Sequence, residues 1–435
     1  MTSVPLTLDA TQTDLVADVA VYAYIVGLVA GVFYRLDASG LPHPMTLSDN
    51  TQAAQSFPDS GQLDAAAIAA LQPNYPQAWA DYSIALARTA PATQLDLSQI
   101  NTTTVPGLGI GVNAFSGRIY VSAGLPRLPF TVQASGYAAP VPYADGPGAQ
   151  CLFDWIEFSY DSEGNFNGNT TQVDQFGFAM SLDGAPGGGL QGAMSVTRDA
   201  LLAQIGALTG PFTDSGSLVA VDAAATAAYP ANVSTLRAQS PKTLTAMGSY
   251  SGGLTDYFND NLGAWYLNWQ TTPLVVNDGA TGYYTGVVDS GSGVLNFYQG
   301  QYTTLAEWQA AAPALAFPMI GSAPSTVQIA SIDVWQCANS LNAGGAAQQN
   351  VGKNIAAAFN RGVPGYLLDD TVCHSEAGSF YPSGGTWNAW AAIMHAANSN
   401  ALAYGFPYDD VCQQSPTIQL NAATQVNVVI GNFYS

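Results

Sequence analysis

The chain has 435 residues, of which 9 are basic and 30 are acidic, and its formal net charge is −21. With 48% hydrophobic and only 9% charged residues, it is too apolar for a disordered protein and too poor in Lys and Arg for a nucleic-acid binder. Its solubility must therefore come from hydroxyl and amide groups at the surface. Such a surface suits neutral ligands that are rich in hydroxyl groups, such as carbohydrates.

The first 95 residues are predicted to be a helical N-terminal extension of unknown role. Residues 19–34 form an uncharged, largely apolar run of sixteen. A membrane span needs about 20 residues, so this run predicts a buried core helix first and a membrane segment second. Residues 63–71 consist of good helix formers, and residues 77–88 place their large apolar side chains at helical spacing.

After residue 95, short runs of β-forming residues alternate with Gly and Pro, which predicts strands. Strands are expected at residues 108–112, 118–122, 128–132, 293–297, 327–334 and 424–430, and the densest β-type stretch covers residues 151–182. Helices are expected at residues 196–205, 255–269, 354–360 and 387–397. The predicted fold class is therefore β-rich α+β with the helical extension in front.

A strand predicted at residues 153–160 carries the first candidate catalytic carboxylate. The period of two puts Trp155, Glu157 and Ser159 on one face of this strand. A carboxylate between an aromatic ring and a hydroxyl is typical of a glycosidase subsite. There the ring stacks on a sugar, and a partly apolar setting raises the pKa of the acid.

The following run, residues 170–178, brings a second carboxylate, Asp174. Two carboxyl groups across a cleft can hydrolyse a glycosidic bond, one as acid and the other as base or nucleophile. The competing interpretation is that both acids cap loops or lie at a solvated surface.

No motif predicts a metal or a cofactor. The histidines His43, His374 and His395 are too dispersed for a metal site, and there is no phosphate loop or dinucleotide fingerprint. The adjacent Asp409 and Asp410 follow three aromatic residues and can line a sugar site, bind calcium or form a turn. A turn is the commonest role of such a pair, and calcium requires more oxygen ligands than this run offers.

The four cysteines, Cys151, Cys337, Cys373 and Cys412, fit no zinc-binding spacing. Two disulfides formed outside the cytosol and buried free thiols both remain open. Residues 1–15 contain no Lys or Arg, so they lack the basic region of a signal peptide.

Six segments, taken in order, resemble glycoside hydrolase family 64, the thaumatin-like β-1,3-glucanases. They are residues 116–122 (SGRIYVS), 153–158 (FDWIEF), 169–174 (NTTQVD), 236–241 (LRAQSP), 355–361 (IAAAFNR) and 404–411 (YGFPYDDV). The resemblance spans about residues 100–435. It implies a thaumatin-like β-barrel or sandwich domain, residues 96–185 and 405–435, beside a mixed α/β domain of residues 186–404. A wide groove is expected between the two domains, and residues 1–95 have no recognised counterpart.

The activity implied by the resemblance is endo-acting hydrolysis of β-1,3-glucan with inversion, by a secreted enzyme that releases short laminari-oligosaccharides. Glu157 is then the general acid and Asp174 the general base, at the roughly 6.5–9.5 Å separation of an inverting pair. Further substrate contacts are expected from the Trp155 ring and, by the resemblance, from Ser159, Asp161, Phe166, Thr171, Asp409 and Asp410. The expected partner is the glucan alone, without nucleic acid or membrane, and the net charge favours a monomer.

The rival hypothesis is a catalytically silent protein on the same fold that binds β-glucan or interacts at a surface. A fold does not fix a function, and N-terminal helices that cover the groove would support this hypothesis. The presence of both Glu157 and Asp174 favours the enzyme, because a binding protein needs neither.

Overall fold

The computed structural model describes residues 3–434 apart from 17, 54–62, 72–74, 104, 141–147, 185–188, 214–216, 249, 322–327, 366–367 and 370–378. The strands are β1 (Pro5–Asp9), β2 (Val21–Val29), β3 (Val32–Leu36), β4 (Pro42–Pro44), β5 (Gln52–Ala53), β6 (Ala78–Trp79), β7 (Ile84–Ala85), β8 (Thr93–Asp96), β9 (Phe115–Ala123), β10 (Thr131–Gln133), β11 (Gly136–Ala138), β12 (Phe153–Tyr160), β13 (Phe166–Thr170), β14 (Gln175–Phe176), β15 (Met180–Asp183), β16 (Leu218–Ala220), β17 (Thr235–Gln239), β18 (Leu274–Asn277), β19 (Tyr283–Val288), β20 (Leu295–Gln299), β21 (Leu315–Met319), β22 (Leu368–Asp369), β23 (Ile418–Leu420) and β24 (Val426–Ile430). The helices are α1 (Ala65–Leu71), α2 (Gln99–Thr102), α3 (Arg198–Gly206), α4 (Pro241–Ala246), α5 (Asn259–Asn268), α6 (Leu305–Ala311), α7 (Ser331–Gln336), α8 (Ala346–Asn360) and α9 (Ala389–Ala397).

An eight-stranded antiparallel sheet carries the first candidate carboxylate. Its strand order is β23-β13-β12-β9-β2-β3-β4, and β7 also pairs with β2. Glu157 on β12 lies directly opposite Arg118 on β9 and Asn169 on β13. The candidate acid is therefore held on both sides by paired strands.

Residues 19–34 form the hairpin β2–β3, so the prediction of a buried helix is wrong. Valine, isoleucine and tyrosine side chains pack well on a pleated surface. The turn is made by Ala30 and Gly31, whose φ angles of 47° and 83° fit the tight turns that join right-twisted strands. Nearly every β2 side chain is buried, which explains why the run is apolar throughout rather than alternating.

The expected helical extension at residues 1–95 is likewise wrong, although α1 confirms the helix predicted at residues 63–71. Residues 77–88 supply the short strands β6 and β7 instead of a helix. β1 pairs in parallel with β24 and antiparallel with β8, so the two ends of the chain meet in the four-stranded sheet β15-β24-β1-β8. The N-terminal residues are thus an integral part of the main β body.

The four-stranded and eight-stranded sheets share one hydrophobic core, to which Leu6, Phe158 and Val428 contribute. Both have open strand orders, and within the described residues no sheet closes into a barrel. The barrel form of the expected domain is therefore wrong, and its thaumatin-like character stays a prediction.

A second core lies among residues 212–363, where the five-stranded sheet β21-β20-β19-β18-β22 packs with helices. The helices predicted at residues 196–205, 255–269, 354–360 and 387–397 are confirmed as α3, α5, α8 and α9. The β-rich α+β class is confirmed as well. None of the helices in the described part of the chain is long and apolar enough to cross a bilayer.

Two predicted strands are replaced by other structure. The region 327–334 contains the start of α7, where the Asp333 carboxylate accepts a hydrogen bond from the Ala330 N–H at 2.9 Å and so stabilises the helix N-terminus. The run 108–112 ends in a 3₁₀ turn, Gly111–Asn113. In both places local turn and cap chemistry outweighs β propensity.

Candidate active site

The alternation predicted for β12 is largely present in the structure. Ile156, Phe158 and Tyr160 are buried in the core, while Glu157 and Ser159 are partly exposed on the other face. The Glu157 side chain is 42% exposed, so its carboxylate is accessible from solvent.

Arg118 holds the Glu157 carboxylate through one oxygen. Its Nη2 and Nε atoms both donate to Oε1, at 2.8 and 3.1 Å. Among the described residues, the second oxygen, Oε2, accepts no hydrogen bond. The pair therefore orients the carboxylate and leaves one oxygen open.

Two further contacts hold the Arg118 guanidinium itself. It lies over the Trp155 ring at 4.8 Å from the centroid, and Nη1 donates to the Tyr120 hydroxyl at 3.4 Å. Burial alone lowers the pKa of Arg118, but Tyr120, Glu157 and Asp174 together outweigh it and raise that pKa. Arg118 is thus a permanent cation within electrostatic range of both candidate carboxylates.

A cavity of about 460 Å³ opens beside this ion pair. Glu157, Ser159, Asn167 and Asn169 line it from β12 and β13. At its floor, a Cβ atom on Gly117 would come within 2.1 Å of the Val26 carbonyl oxygen, so a larger residue does not fit there. The result is a groove lined by hydroxyl, amide and carboxylate groups.

Asp174 lies in the loop between β13 and β14 and is held by the first turn of α4. Lys242 pairs with its Oδ1, and the Thr243 hydroxyl donates to the same atom at 3.5 Å. Ser240, the N-cap of α4, donates its N–H to the Asp174 carbonyl at 3.1 Å. The Asp174 side chain is 15% exposed, and in the described structure Oδ2 accepts no hydrogen bond.

The Tyr404–Asp410 segment adjoins both carboxylates. The Gln172 N–H donates to the Tyr404 carbonyl at 2.8 Å, which ties the Asp174 loop to this segment. The Tyr404 hydroxyl donates to Asp410 Oδ1 at 3.1 Å. Burial, then Asp410 and more weakly Glu157, raise the pKa of Tyr404, so this phenol stays neutral.

The predicted acidic pair divides into two different roles. Asp409 is fully buried, where it accepts from Arg361 Nη2 at 2.8 Å and from the Gly405 N–H at 2.9 Å and lies 3.0 Å from His395 Nε2. It is therefore a structural carboxylate, and the expected sugar contact of Asp409 is wrong. Asp410 is exposed and remains a candidate.

Neither predicted stacking ring is open to a sugar. Trp155 is 2% exposed, and Arg118 occupies the face of its ring. Phe166 lies on the core side of β13, stacked on Phe158 at 5.8 Å between centroids. Both expectations are corrected, because alternation along a strand gives the face of a side chain but not what covers it.

Of the smaller polar candidates, Ser159 lines the groove. Asp161 instead closes the β12–β13 turn, accepting from the N–H groups of Glu163 and Asn165 at 2.9 Å each. Thr171 is buried, and its hydroxyl oxygen accepts from the Val173 N–H at 3.4 Å. Asp161 and Thr171 therefore shape their loops, and the sugar contacts expected of them stay predictions.

Sequence reasoning missed the two cations, Arg118 and Lys242, and the amides of Asn167 and Asn169. A usable signal existed for the cations, because the chain has few of them and both lie in or next to the segments quoted above. The amides become visible only once the β12–β13 register is known.

The cysteines and the candidate metal ligands can be assessed only at the described residues. They contain no group of three His, Cys, Asp or Glu side chains placed to hold a metal ion. Cys151 and Cys337 are buried free thiols, and burial raises the pKa of each to about 12. Two disulfides are therefore excluded, while Cys373 and His374 lie outside the described residues.

Solved β-1,3-glucanases share this fold. A laminaripentaose-producing β-1,3-glucanase in complex with laminaritetraose is 21% identical, covers 100% of this chain and 99% of its own, and has a TM-score of 0.70. A family 64 β-1,3-glucanase domain from Clostridium beijerinckii is 20% identical over 99% and 98% of the two chains, with a TM-score of 0.71. A laminaripentaose-producing enzyme from Paenibacillus barengoltzii with laminarihexaose is 19% identical over 99% and 75%, with a TM-score of 0.55.

The family comparison covers nearly the whole sequence. No curated protein matches the chain, but the family model for β-1,3-glucanases of glycoside hydrolase family 64 matches residues 4–430. The match begins at the first strand, which agrees with the N-terminal residues being part of the main body. The chain therefore belongs to glycoside hydrolase family 64 and is a glucan endo-1,3-β-glucosidase.

Proposed function

We propose that this enzyme cleaves β-1,3-glucan with inversion and releases short laminari-oligosaccharides, with Glu157 as general acid and Asp174 as general base. One observation carries the proposal. Each carboxylate is anchored by a cation through one oxygen, Glu157 by Arg118 and Asp174 by Lys242, and keeps its second oxygen open. Such anchoring fixes the direction of proton transfer without blocking it.

Glu157 is suited to the acid step. Its side chain faces the groove, so protonated Oε2 can donate to the glycosidic oxygen as the bond to the anomeric carbon breaks. The carboxylate that remains is stabilised by Arg118, at 2.8 and 3.1 Å.

Asp174 is suited to the base step. Lys242 and Thr243 both bind Oδ1 and leave Oδ2 to take a proton from water. That water attacks the anomeric carbon from the face opposite the leaving oxygen, so the configuration inverts. Since Glu157 lines the groove and Asp174 is held by α4, we propose that the bound substrate extends from the groove to the Asp174 loop.

Sugar recognition is assigned to the groove walls. These walls offer hydroxyl and amide groups to the sugar hydroxyls, from Ser159, Asn167 and Asn169. Phe33 and Tyr137, whose rings meet edge to face at 5.1 Å, also line the cavity. They replace Trp155 and Phe166 as the aromatic surface beside the acid.

The assignment of acid and base is tested with Glu157→Gln and Asp174→Asn on two substrates. On laminarin we expect both variants to lose kcat by about 1,000-fold or more while retaining glucan binding. On an aryl laminarioside with a dinitrophenol leaving group, which needs no protonation, Glu157→Gln recovers most of its activity and Asp174→Asn does not.

Glu163→Gln is the matched control, because Glu163 is an exposed carboxylate in the β12–β13 turn. It is expected to behave as the unmodified enzyme. Full laminarin turnover by Glu157→Gln would contradict the acid assignment. If the unmodified chain binds glucan without hydrolysing it, the result favours the rival hypothesis of a catalytically silent binding protein.

The proposal includes action outside the cell as a monomer. A formal charge of −21 makes copies of the chain repel one another at low ionic strength. Light scattering that gives the mass of one chain, and recovery of the activity from culture fluid, are the expected results.

A further inference from the structure

Arg118 occupies a position that the acid–base pair alone does not explain. It lies directly across the β9–β12 pairing from Glu157, between the acid and the Trp155 ring. Two of its donors converge on one carboxylate oxygen, although a guanidinium more often binds both oxygens of a carboxylate side by side.

The surroundings hold Arg118 in this geometry from several sides. β9 is itself paired with β2 on its other edge, so its backbone position is fixed. The Trp155 ring lies under the guanidinium at 4.8 Å, and Tyr120, which accepts from Nη1, packs on Trp155 at 5.6 Å between centroids. Trp155 is therefore a platform for the arginine.

We infer that Arg118 is a positioning residue of the hydrolysis: by holding Oε1 of Glu157 it directs Oε2 at the glycosidic oxygen, and by its charge it promotes release of the proton. The inference rests on the proposed function, because it assumes that Glu157 is the acid. A lysine cannot replace it fully, since an ammonium group lacks both the planar pair of donors and the stacking face.

The test compares Arg118→Met and Arg118→Lys on laminarin and on the dinitrophenyl laminarioside. For Arg118→Met we expect kcat on laminarin to fall about 100-fold while KM stays within about 3-fold. On the activated substrate the loss of kcat shrinks to less than about 5-fold, because the acid step is bypassed. Arg118→Lys is expected to lose about 10-fold in kcat on laminarin.

Arg127→Met is the matched control. Arg127 also pairs with a carboxylate, Asp81 at 2.7 Å, and also lies over an aromatic ring, Tyr22 at 4.5 Å, but it does not line the groove. We expect this variant to have a lower melting temperature and an unchanged kcat on both substrates.

Two results would overturn the inference. One is an unchanged kcat on laminarin in Arg118→Met. The other is an equal loss of kcat on both substrates, which indicates a purely structural role. If Arg118→Met does not fold, the kcat values of Arg118→Lys on the two substrates decide between the same outcomes. Because Glu157→Gln is measured beside them, its full activity would instead identify a failure of the proposed function.

Discussion

At the scale of single residues, the site depends on two carboxylates that share one design. Glu157 and Asp174 each give one oxygen to a cation and keep the other open. The two cations differ in kind: Arg118 is planar and stacked on Trp155, whereas Lys242 is a point charge in the first turn of a short helix. The planar cation suits the group whose direction matters most, and the point charge suits the group that must stay ionised.

Replacing Lys242 by Met tests the second half of that design. Without the cation, the Asp174 carboxylate loses the contact that orients it, so we expect kcat on laminarin to fall about 10- to 100-fold while KM changes little. Lys353→Met is the control, because the other lysine lies over the Tyr408 ring at 4.6 Å. An unchanged kcat in Lys242→Met would contradict the proposed anchoring of the base.

The candidate site was only half predictable from the sequence. Period-two alternation places Glu157 on an accessible face, and the following loop brings Asp174. Their partners lie 39 and 68 positions away, and only the β9–β12 register and the start of α4 decide that these groups meet. The same lack of long-range information led to the incorrect prediction that the Trp155 ring stacks on a sugar.

At the scale of elements, close backbone approach positions Arg118. Gly117, its neighbour on β9, faces the Val26 carbonyl across the pairing with β2. A side chain there would force β2 and β9 apart, and the groove floor would move with them.

Gly117→Ala is therefore expected to destabilise the fold by about 1–3 kcal/mol and to reduce kcat as well, because Arg118 is displaced. Urea unfolding with circular dichroism measures the first effect. Gly263→Ala in α5 has the opposite sign: a Cβ there meets nothing within 4 Å, and alanine stabilises a helix by about 0.5–1 kcal/mol over glycine. Equal stabilities for the two variants would contradict this packing.

Predictability differed between elements for a physical reason. Segments with strong caps and helical spacing, such as α3 and α9, were identified from sequence. The hairpin β2–β3 was not, because burial on both faces removes the alternation that distinguishes a strand from a buried helix.

At the scale of the whole molecule, the two chain ends meet in one sheet through the β1–β24 pair, and two carboxyl groups, Asp154 and Asp409, are buried in the interior. Asp154 is fully buried and accepts from the Gly177 N–H at 2.7 Å, yet burial raises its pKa from 3.8 to about 7. The Asp409 carboxylate pairs with the side chains of Arg361 and His395. No local sequence pattern predicts pairings between residues that are so distant in the chain.

These groups predict that stability falls as the pH rises from 5 to 8. Folded Asp154 holds its proton while the unfolded chain has lost it, so its contribution declines from about pH 4 to about pH 7, by about 3–4 kcal/mol in all. Burial lowers the pKa of His395, but Asp409 outweighs it and raises that pKa above 6.5. The His395 contribution is therefore complete below pH 6.5 and is lost as the pH rises through the folded value.

At the acidic end the sign reverses for Asp409. Burial tends to raise its pKa, but His395 and Arg361 hold it below 3.8, so its contribution is lost as the pH falls through that lower value. Urea unfolding at pH 5, 6, 7 and 8 is expected to show a steady decline, and His395→Gln to flatten it above pH 6.5. Stability that increases across this range would refute the account.

The most direct test of the central claim is proton NMR of laminarin followed from the first minutes after enzyme is added. Hydrolysis by Glu157 as acid and Asp174 as base predicts that the new reducing ends appear first as α-anomers and equilibrate to β only later. Initial β-anomers would show retention, which requires a carboxylate nucleophile and contradicts the roles assigned to these two residues.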